Sequence, residues 1–308
     1  MILILSNPGD LHARHIASKV KLKGRDVACV SRADFGKNAS LVFSPNVPNG
    51  RIALHDGTTI ASQDVSAVWF RRPGIVSVDP AMTDELDRSF AENEWNHALD
   101  SFFTTTFQRQ VSPLLKQRAA TKPLQLSLAS RVGLRVPQTL ITSCAEEALA
   151  FVAEHRGAVV HKAMSAPRHA FIDTRAWDSE ATLHAADLSM CPTILQERIV
   201  GPADVRATMI GSQIFSACIH TSQGRAEIDS RLDPDAPFTA YQLPASVEAG
   251  LLSLMNELGL VFGTIDLKIA ASGEHVFLEI NPQGQFLYVE IQTGLPISDA
   301  LVEYLAAD

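Results

Sequence analysis

The chain has 308 residues, 46% of them hydrophobic and 19% charged, which is the profile of a soluble globular protein with more length than one ordinary core requires. Its 26 Lys and Arg against 34 Asp and Glu give a formal net charge of -8, which argues against nonspecific nucleic-acid binding as a main role. No apolar run has the length of a membrane span, and Met1 leads directly into Ile2-Leu3-Ile4-Leu5 without the basic start of a signal peptide, so a cytoplasmic protein with no membrane role is expected.

The N-terminal third alternates strand and helix. Residues 2–5 are patterned as a buried strand, 11–22 as a helix stopped by Gly24, and 26–30 as a second strand, the opening of an α/β unit with a parallel sheet. The first turn, Ser6-Asn7-Pro8-Gly9-Asp10, lacks the Gly-x-Gly-x-x-Gly fingerprint of dinucleotide binding. A strand at 65–70 ends in Arg71-Arg72-Pro73, which is either a solvated strand end or a grip on an acidic ligand group. From 83 to 107 the pattern is helical, with Leu86, Phe90, Leu99 and Phe102 spaced for one buried side. Residues 111–122, with Pro113 and several charges, form the passage into a second unit.

In that unit a helix at 123–132 ends at Gly133 and a strand follows at 134–140. Ser143 and Glu146 have the spacing of a capping box for a helix that runs to His155 and stops at Gly157. The strand 158–163 carries Lys162, and the acid-poor stretch 164–175 is expected as a mobile loop over a site. A third unit opens with a strand at 193–199. A hairpin of 205–210 and 213–219 turns at Gly211-Ser212, and Val247, Leu251, Met255 and Leu258 give a helix its buried stripe before Gly259 ends it.

The last hairpin carries the most chemistry. Residues 264–268 and 277–281 are short alternating strands, and a turn at Ser272-Gly273 pairs Ala271 with Glu274, which sets Asp266 opposite Glu279 with Asn281 on the same face. Like charges directly opposite on a sheet repel, so a cation is expected between them. Two carboxylates and a carboxamide suit a hard divalent ion such as magnesium, which binds through one or two carboxylates plus the phosphates of a nucleotide. Lys268 lies on that face as well, and Pro282 ends the strand.

Four cysteines, Cys29, Cys144, Cys191 and Cys218, form no Cys-x-x-Cys pair and are expected as free, mostly buried thiols. The ten histidines show no metal-ligand spacing. Other charged residues stand where a nucleotide needs them. Lys162 sits in an apolar strand, where a lysine must escape at the end or meet an anion. Gln196-Glu197-Arg198-Ile199 ends a strand with polar side chains and amides able to read an adenine edge. Asp204-Val205-Arg206 and Asp229-Ser230-Arg231 each put an acid and a guanidinium on one strand face.

In that order these residues resemble the ATP-grasp superfamily. The resemblance implies a mixed α/β and α+β fold, with a Rossmann-like N-terminal domain at 1–115, a central lobe at 116–192 and a C-terminal lobe at 193–308, the two lobes clasping ATP. It assigns Lys122 and Lys162 to phosphates, Gln196, Glu197, Arg198 and Ile199 to adenine, and Asp204 to the ribose. Asp266, Glu279 and Asn281 become magnesium ligands, and Arg206 and Arg231, joined by Lys268, become the candidate catalytic residues. Val68-Trp69-Phe70-Arg71-Arg72-Pro73, Leu134-Arg135-Val136-Pro137-Gln138-Thr139 and Glu279-Ile280-Asn281-Pro282-Gln283-Gly284-Gln285-Phe286 are most similar to the microviridin or graspetide maturases, which cross-link ribosomally made peptides. One departure is the absence of glycine between Lys162 and Gly201, where many ATP-grasp lids are glycine-rich.

The chemistry implied is phosphoryl transfer from ATP to a carboxylate, followed by attack of an amine or hydroxyl on the acyl phosphate. No protein nucleophile is needed, in keeping with the lack of a Ser-His-Asp or Cys-His signature. The resemblance implies a precursor peptide with a leader segment as partner, and a homodimer. An ATP-grasp ligase that adds an amino acid to a small molecule or protein tail shares the same nucleotide residues, and a nucleotide-binding scaffold without catalysis is the alternative from another class.

Overall fold

The computed structural model describes residues 1–165, 172–220, 228–229, 232–233 and 235–307. In chain order its first part comprises β1 (Ile2–Ser6), α1 (Leu11–Leu22), β2 (Val27–Val30), β3 (Ala39–Ser44), β4 (Val47–Leu54), β5 (Thr59–Ala61), β6 (Ala67–Arg72), α2 (Glu85–Thr106), β7 (Gln110–Val111) and α3 (Leu114–Ala119). There follow α4 (Lys122–Arg131), β8 (Thr139–Thr142), α5 (Ala145–Glu154), β9 (Val159–Lys162), β10 (Arg175–Ala176) and α6 (Ser179–Leu183). The last part holds β11 (Thr193–Glu197), β12 (Ala203–Ile210), β13 (Gln213–Ile219), β14 (Phe238–Tyr241), α7 (Ala245–Leu258), β15 (Phe262–Ile269), β16 (His275–Asn281), α8 (Leu287–Thr293) and α9 (Ile297–Ala306).

The first sheet has the order β2-β1-β6-β7 and is parallel throughout. Its central strands are apolar up to their carboxyl ends, at Ile2–Leu5 of β1 and Ala67–Phe70 of β6, because both faces are covered, as parallel sheets require. Ile2 and Ile4 of β1 join α1 in one core, and Leu3 and Leu5 join Leu99, Phe102 and Phe103 of α2 in another. The first of these cores also takes in Phe286, Leu301 and Leu305, so α9 covers the sheet beside α1. Lys19 to Asp299 at 2.7 Å and Lys23 to Glu303 at 3.3 Å pin the two helices along their rims.

A small antiparallel meander, β3-β4-β5, lies beside this unit, and a four-stranded antiparallel sheet, β10-β9-β11-β8, packs on α5 through Val159, Leu195 and Trp177. The third major sheet, β14-β13-β12-β15-β16, is antiparallel. Val205, Ala207, Met209, Ile265, Leu267, Phe277 and Ile280 turn one of its faces onto α4 and α7. With period-2 alternation the intervening residues project from the opposite face, which is polar at Asp204, Arg206, Thr208, Thr264, Asp266 and Lys268 and joins the first core through Ile210 and Phe262 at one end. Among the described residues no helix is long and apolar enough to cross a membrane.

Several local expectations are corrected. Leu86 and Phe90 are 79% and 65% exposed, because only the C-terminal half of α2 crosses the sheet and its first turns run past it. The strand expected at 134–140 is displaced to β8, and Arg135 instead makes an isolated bridge to Val276 at the edge of β16. Cys144, not Ser143, is the cap residue of α5. Thr142 Oγ1 takes the Cys144 amide at 2.9 Å, so the expected capping box does not form. The cysteines are free, but Cys29, Cys144 and Cys191 are exposed and only Cys218 is buried. The meander at 39–61 was not anticipated, while the β12–β13 hairpin turns at Gly211-Ser212 as expected, with Gly211 at φ 57°.

Candidate functional site

On the polar face of the third sheet, three cross-strand pairs stand in a row between β12 and β15. Asp204 lies opposite Lys268, Arg206 opposite Asp266 and Thr208 opposite Thr264. The first two are ion pairs, with Lys268 Nζ 2.7 Å from Asp204 Oδ1 and Arg206 Nη1 2.5 Å from Asp266 Oδ1. The next strand adds Glu279 opposite Asp266, and Asn281 opposite Thr264.

The Asp266–Glu279 pairing arises differently from the simple count along a two-residue turn. Near the turn the strands pair Leu267 with Phe277 and Ile269 with His275, and the Ala270 amide donates to Glu274 O. That register is one residue out of step with Asp266–Glu279. A β-bulge between Asp266 and Leu267, with Leu278 as the extra residue, restores it. The bulge also switches the face of β16: Phe277 points into the apolar core, and without an extra residue Glu279 would follow it there. Local geometry therefore decides that a carboxylate, not a core side chain, meets Asp266.

From α4, Lys122 reaches across with Nζ 3.1 Å from Glu279 Oε2, and it also donates to Ala163 O at 3.1 Å, next to Lys162 at the end of β9. Each carboxylate of the pair thus has a cation against it. Burial pushes the Asp266 carboxyl above the usual carboxylate range, with Arg206 opposing that shift and the Glu279 charge adding to it. Burial likewise works against the Arg206 charge, but Asp266, Tyr288 and Glu279 outweigh it, and its pKa is raised. The donor set fits a hard cation: two opposed carboxylates and the Asn281 carboxamide, all able to offer oxygen. Among the described residues no group of three or more His, Cys, Asp or Glu could hold a metal ion, and Asn281 is the third residue of the set.

The loop after β16 lies on this face. Gly284 passes so close to Thr264 that a Cβ there would come within 1.6 Å of the Thr264 hydroxyl oxygen. Arg206 Nη2 donates to Gln285 O at 3.3 Å. The first unit grips the loop from the other side. Fully buried Arg71 donates to Gln283 O and Gly284 O and lies 3.5 Å from Asp10. Gln283 Nε2 donates to Gln117 Oε1 at 2.9 Å, and His12 Nε2 accepts the amides of Phe286 and Leu287 at 3.0 and 3.2 Å. Arg71 is therefore not a solvated strand end. Nη1 meets two carbonyls and the guanidinium lies beside Asp10, while Nε and Nη2 are buried without a hydrogen-bond partner among the described residues, and burial lowers its pKa to about 10. Burial and the Arg71 charge lower His12 from 6.5 to about 4, so it accepts hydrogen bonds as the neutral ring.

The adenine-reading candidates lie at the end of β11. The Gln196 side chain is buried and donates to Thr139 Oγ1 at 2.9 Å, and Glu197 Oε1 is 2.7 Å from Arg135 Nη2. The Glu197 and Arg198 amides go to Gln138 O and Ala158 O. In this conformation those side chains and amides hold the lobe together. After Ile199 the chain crosses to β12 at Gly201, where a Cβ would lie 1.8 Å from Ile269 O, so the crossing tolerates no side chain. Arg231 lies outside the described residues, as does part of the loop at 164–175.

Asp204, Arg206, Asp266, Lys268, Glu279 and Asn281 thus share one sheet face, which Lys122 reaches from α4, with Lys162 next in sequence to the Ala163 carbonyl that Lys122 meets and residues 196–199 at the neighbouring sheet. Residues that sequence reasoning passed over are Gln117, Gln125, His12 and Arg71 in its observed role. Gln125 stands between Leu124 and Leu126 on a helix that faces a core, and a lone carboxamide so placed is a signal that it has backbone groups to satisfy.

No protein-family model matches the chain, and no curated protein does. Solved structures do. Macrocyclase MdnC of Microcystis aeruginosa MRC, bound with precursor peptide MdnA, superimposes with a TM-score of 0.88 at 26% identity, covering 100% of this chain and 99% of that one. Macrocyclase MdnB of the same organism gives a TM-score of 0.83 at 28% identity, over 100% and 99% of the two chains. An ATP-grasp ligase of Chryseobacterium gregarium associated with ribosomal peptide maturation, in complex with ADP and a leader and core peptide, shares the fold at a TM-score of 0.86 and 22% identity, over 99% and 96%. The chain resembles the ATP-grasp peptide maturases along its whole length.

Proposed function

We propose that this chain is an ATP-dependent, ADP-forming ligase that cross-links side chains of a ribosomally made precursor peptide. Asp or Glu carboxyls would be joined to Lys, Ser or Thr. The full-length likeness to peptide macrocyclases carries this reading, and the single sheet face that gathers two opposed carboxylates with Arg206, Lys122 and Lys268 supports it. In this reading residues 1–115 form a Rossmann-like N-terminal domain, 116–192 a central lobe and 193–308 a C-terminal lobe, and the nucleotide lies between the lobes. ATP and a newly made peptide meet in the cytoplasm, where the reading places the chain, as a homodimer with a docked leader.

The chemistry runs in two displacements. A substrate carboxylate oxygen attacks the γ-phosphorus of ATP and ADP leaves. A Lys amine or a Ser or Thr hydroxyl then attacks the acyl carbon, losing its proton as phosphate leaves, so each ring costs the peptide one water. Asp266, Glu279 and Asn281 would hold magnesium, which when bound neutralises phosphate charge. Lys122 and Lys162 would meet the phosphates, with Asp204 at the ribose and residues 196–199 at the adenine. Arg206, held in a fork between Asp266 and the Gln285 carbonyl, is aimed to stabilise the charge that develops on the transferring phosphoryl group and on the tetrahedral oxyanion. Arg231 and Lys268 would assist it. No step needs a protein nucleophile, and catalysis comes from positioning and electrostatics.

The test is incubation with ATP, magnesium and candidate precursor peptides rich in Asp or Glu plus Thr, Ser or Lys. The expected result is ADP release with loss of one water per ring from the peptide mass. A gain in mass, as a free amino acid becomes attached, would favour the other kind of ATP-grasp ligase, and no ADP release with any peptide would leave only a nucleotide-binding scaffold.

A further inference from the structure

One side chain outside the proposed machinery is bonded to the backbone between two of its members. Among the described residues β16 is an edge strand, with no strand paired on its outward side. Gln125, on the second turn of α4 and 2% exposed, takes both of those groups at Ile280. Its Oε1 accepts the Ile280 amide at 2.7 Å, and its Nε2 donates to Ile280 O at 2.9 Å and to Ala120 O at 2.7 Å. One carboxamide thus does for Ile280 what a partner strand would do.

The position of that clamp is tied to the bulge. Further down the same edge, the Phe277 amide donates outward to Arg135 O at 2.8 Å. In an unbroken antiparallel strand the outward groups after residue 277 would belong to 279 and 281. Because Leu278 is the extra residue, they belong to Ile280 instead. A strand without the bulge would present Glu279 backbone to Gln125 and turn the Glu279 side chain into the apolar core, so only the bulged register satisfies the carboxamide. Gln125 also sits one turn from Lys122, whose ammonium meets the Glu279 carboxylate, so α4 engages both the backbone and the side chain of this short stretch.

We infer that Gln125 is a positioning residue that locks the bulged register of β16 and thereby holds Glu279 and Asn281 on the face of Asp266. The inference rests on the roles proposed for Glu279 and Asn281. Substituting Gln125→Leu removes all three hydrogen bonds at similar volume and leaves the Ile280 groups buried and unsatisfied.

Two measurements test it. In the metal-free protein, amide exchange at Ile280 is expected to be slow and to accelerate about tenfold or more in Q125L, while the Phe277 amide, held by Arg135, keeps its rate. In calorimetry, magnesium is expected to strengthen ATP binding to the wild type, and Q125L is expected to lose about tenfold of that strengthening with magnesium-free binding unchanged. Equal acceleration at Ile280 and Phe277, or a magnesium effect as large in Q125L as in the wild type, would overturn the clamp. If magnesium does not affect the wild type, the metal reading of Glu279 fails, and the exchange ratio alone decides the register role. If Q125L does not fold, exchange at Ile280 in the wild type decides: a fast amide there refutes the clamp and a slow one supports it.

Discussion

Arg206 and Asp266 face each other across β12 and β15 with a guanidinium nitrogen 2.5 Å from a carboxylate oxygen, and the same guanidinium reaches the Gln285 carbonyl at 3.3 Å. Such a two-sided hold needs a planar fork. Arg206→Lys keeps a charge but cannot reach both partners in one plane. Peptide cross-linking is expected to slow by about a hundredfold or more while ATP affinity changes little. Single-turnover kinetics beside calorimetry measure the two, and equal losses would count against a catalytic role for Arg206.

Asp266→Asn and Glu279→Gln preserve shape and remove charge. Both are expected to abolish ADP release with magnesium and ATP while circular dichroism remains that of the wild type. Asp266→Asn should also cost stability, because Arg206 is left buried with a weaker partner. Full turnover in either variant would remove the metal assignment.

His12 accepts two amides from the loop over the site and can do so only as the neutral ring. Its folded value of about 4 lies below its ordinary 6.5. As pH falls through 6.5 the unfolded chain takes up a proton that the folded chain does not, so this contribution is complete above 6.5 and is lost toward 4. Urea midpoints measured from pH 7 down to pH 4.5 should fall more steeply for the wild type than for His12→Gln. Parallel profiles would show that His12 is not protonation-linked to folding.

Gly284→Ala forces a methyl into the Thr264 hydroxyl. The loop has to lift, at a cost of about 1–3 kcal/mol, and the Gln285 carbonyl is drawn off Arg206. Denaturant unfolding and ADP release should fall together. An unchanged melting profile would mean that the loop does not lie against β15.

The two faces of α2 can be told apart by substitution. Leu99→Ala, at a position buried in the first unit, is expected to cost about 2–5 kcal/mol. Leu86→Ser and Phe90→Ser, at its exposed end, should stay within about 0.5 kcal/mol. A large loss at Phe90 would mean that this end of the helix is covered in solution.

How far the site was legible depended on whether its logic was local. The two-residue turn at Gly211-Ser212 is a neighbour-to-neighbour matter, and β12 and β13 pair as that turn dictates. Asp266 opposite Glu279 was also found by counting from a turn, yet the structure reaches the same pair through a longer turn and a compensating bulge. Leu86 and Phe90 have flawless helical spacing and remain in solvent, since periodicity shows that a face is apolar and not whether anything arrives to cover it. Gln125, Gln117 and His12 were passed over because their partners lie 155, 166 and 274 residues away.

By itself the sequence determined the alternation of strands and helices, the two carboxylates and the carboxamide of the last hairpin and the resemblance those residues carry, because propensity, period and motif act over a few residues at a time. Tertiary structure alone decided which cation meets which carboxylate, which face Glu279 takes and how the first unit holds the loop over the site. Those outcomes depend on one bulge, on edge-strand backbone groups that had to find partners, and on buried charges that distant side chains had to balance.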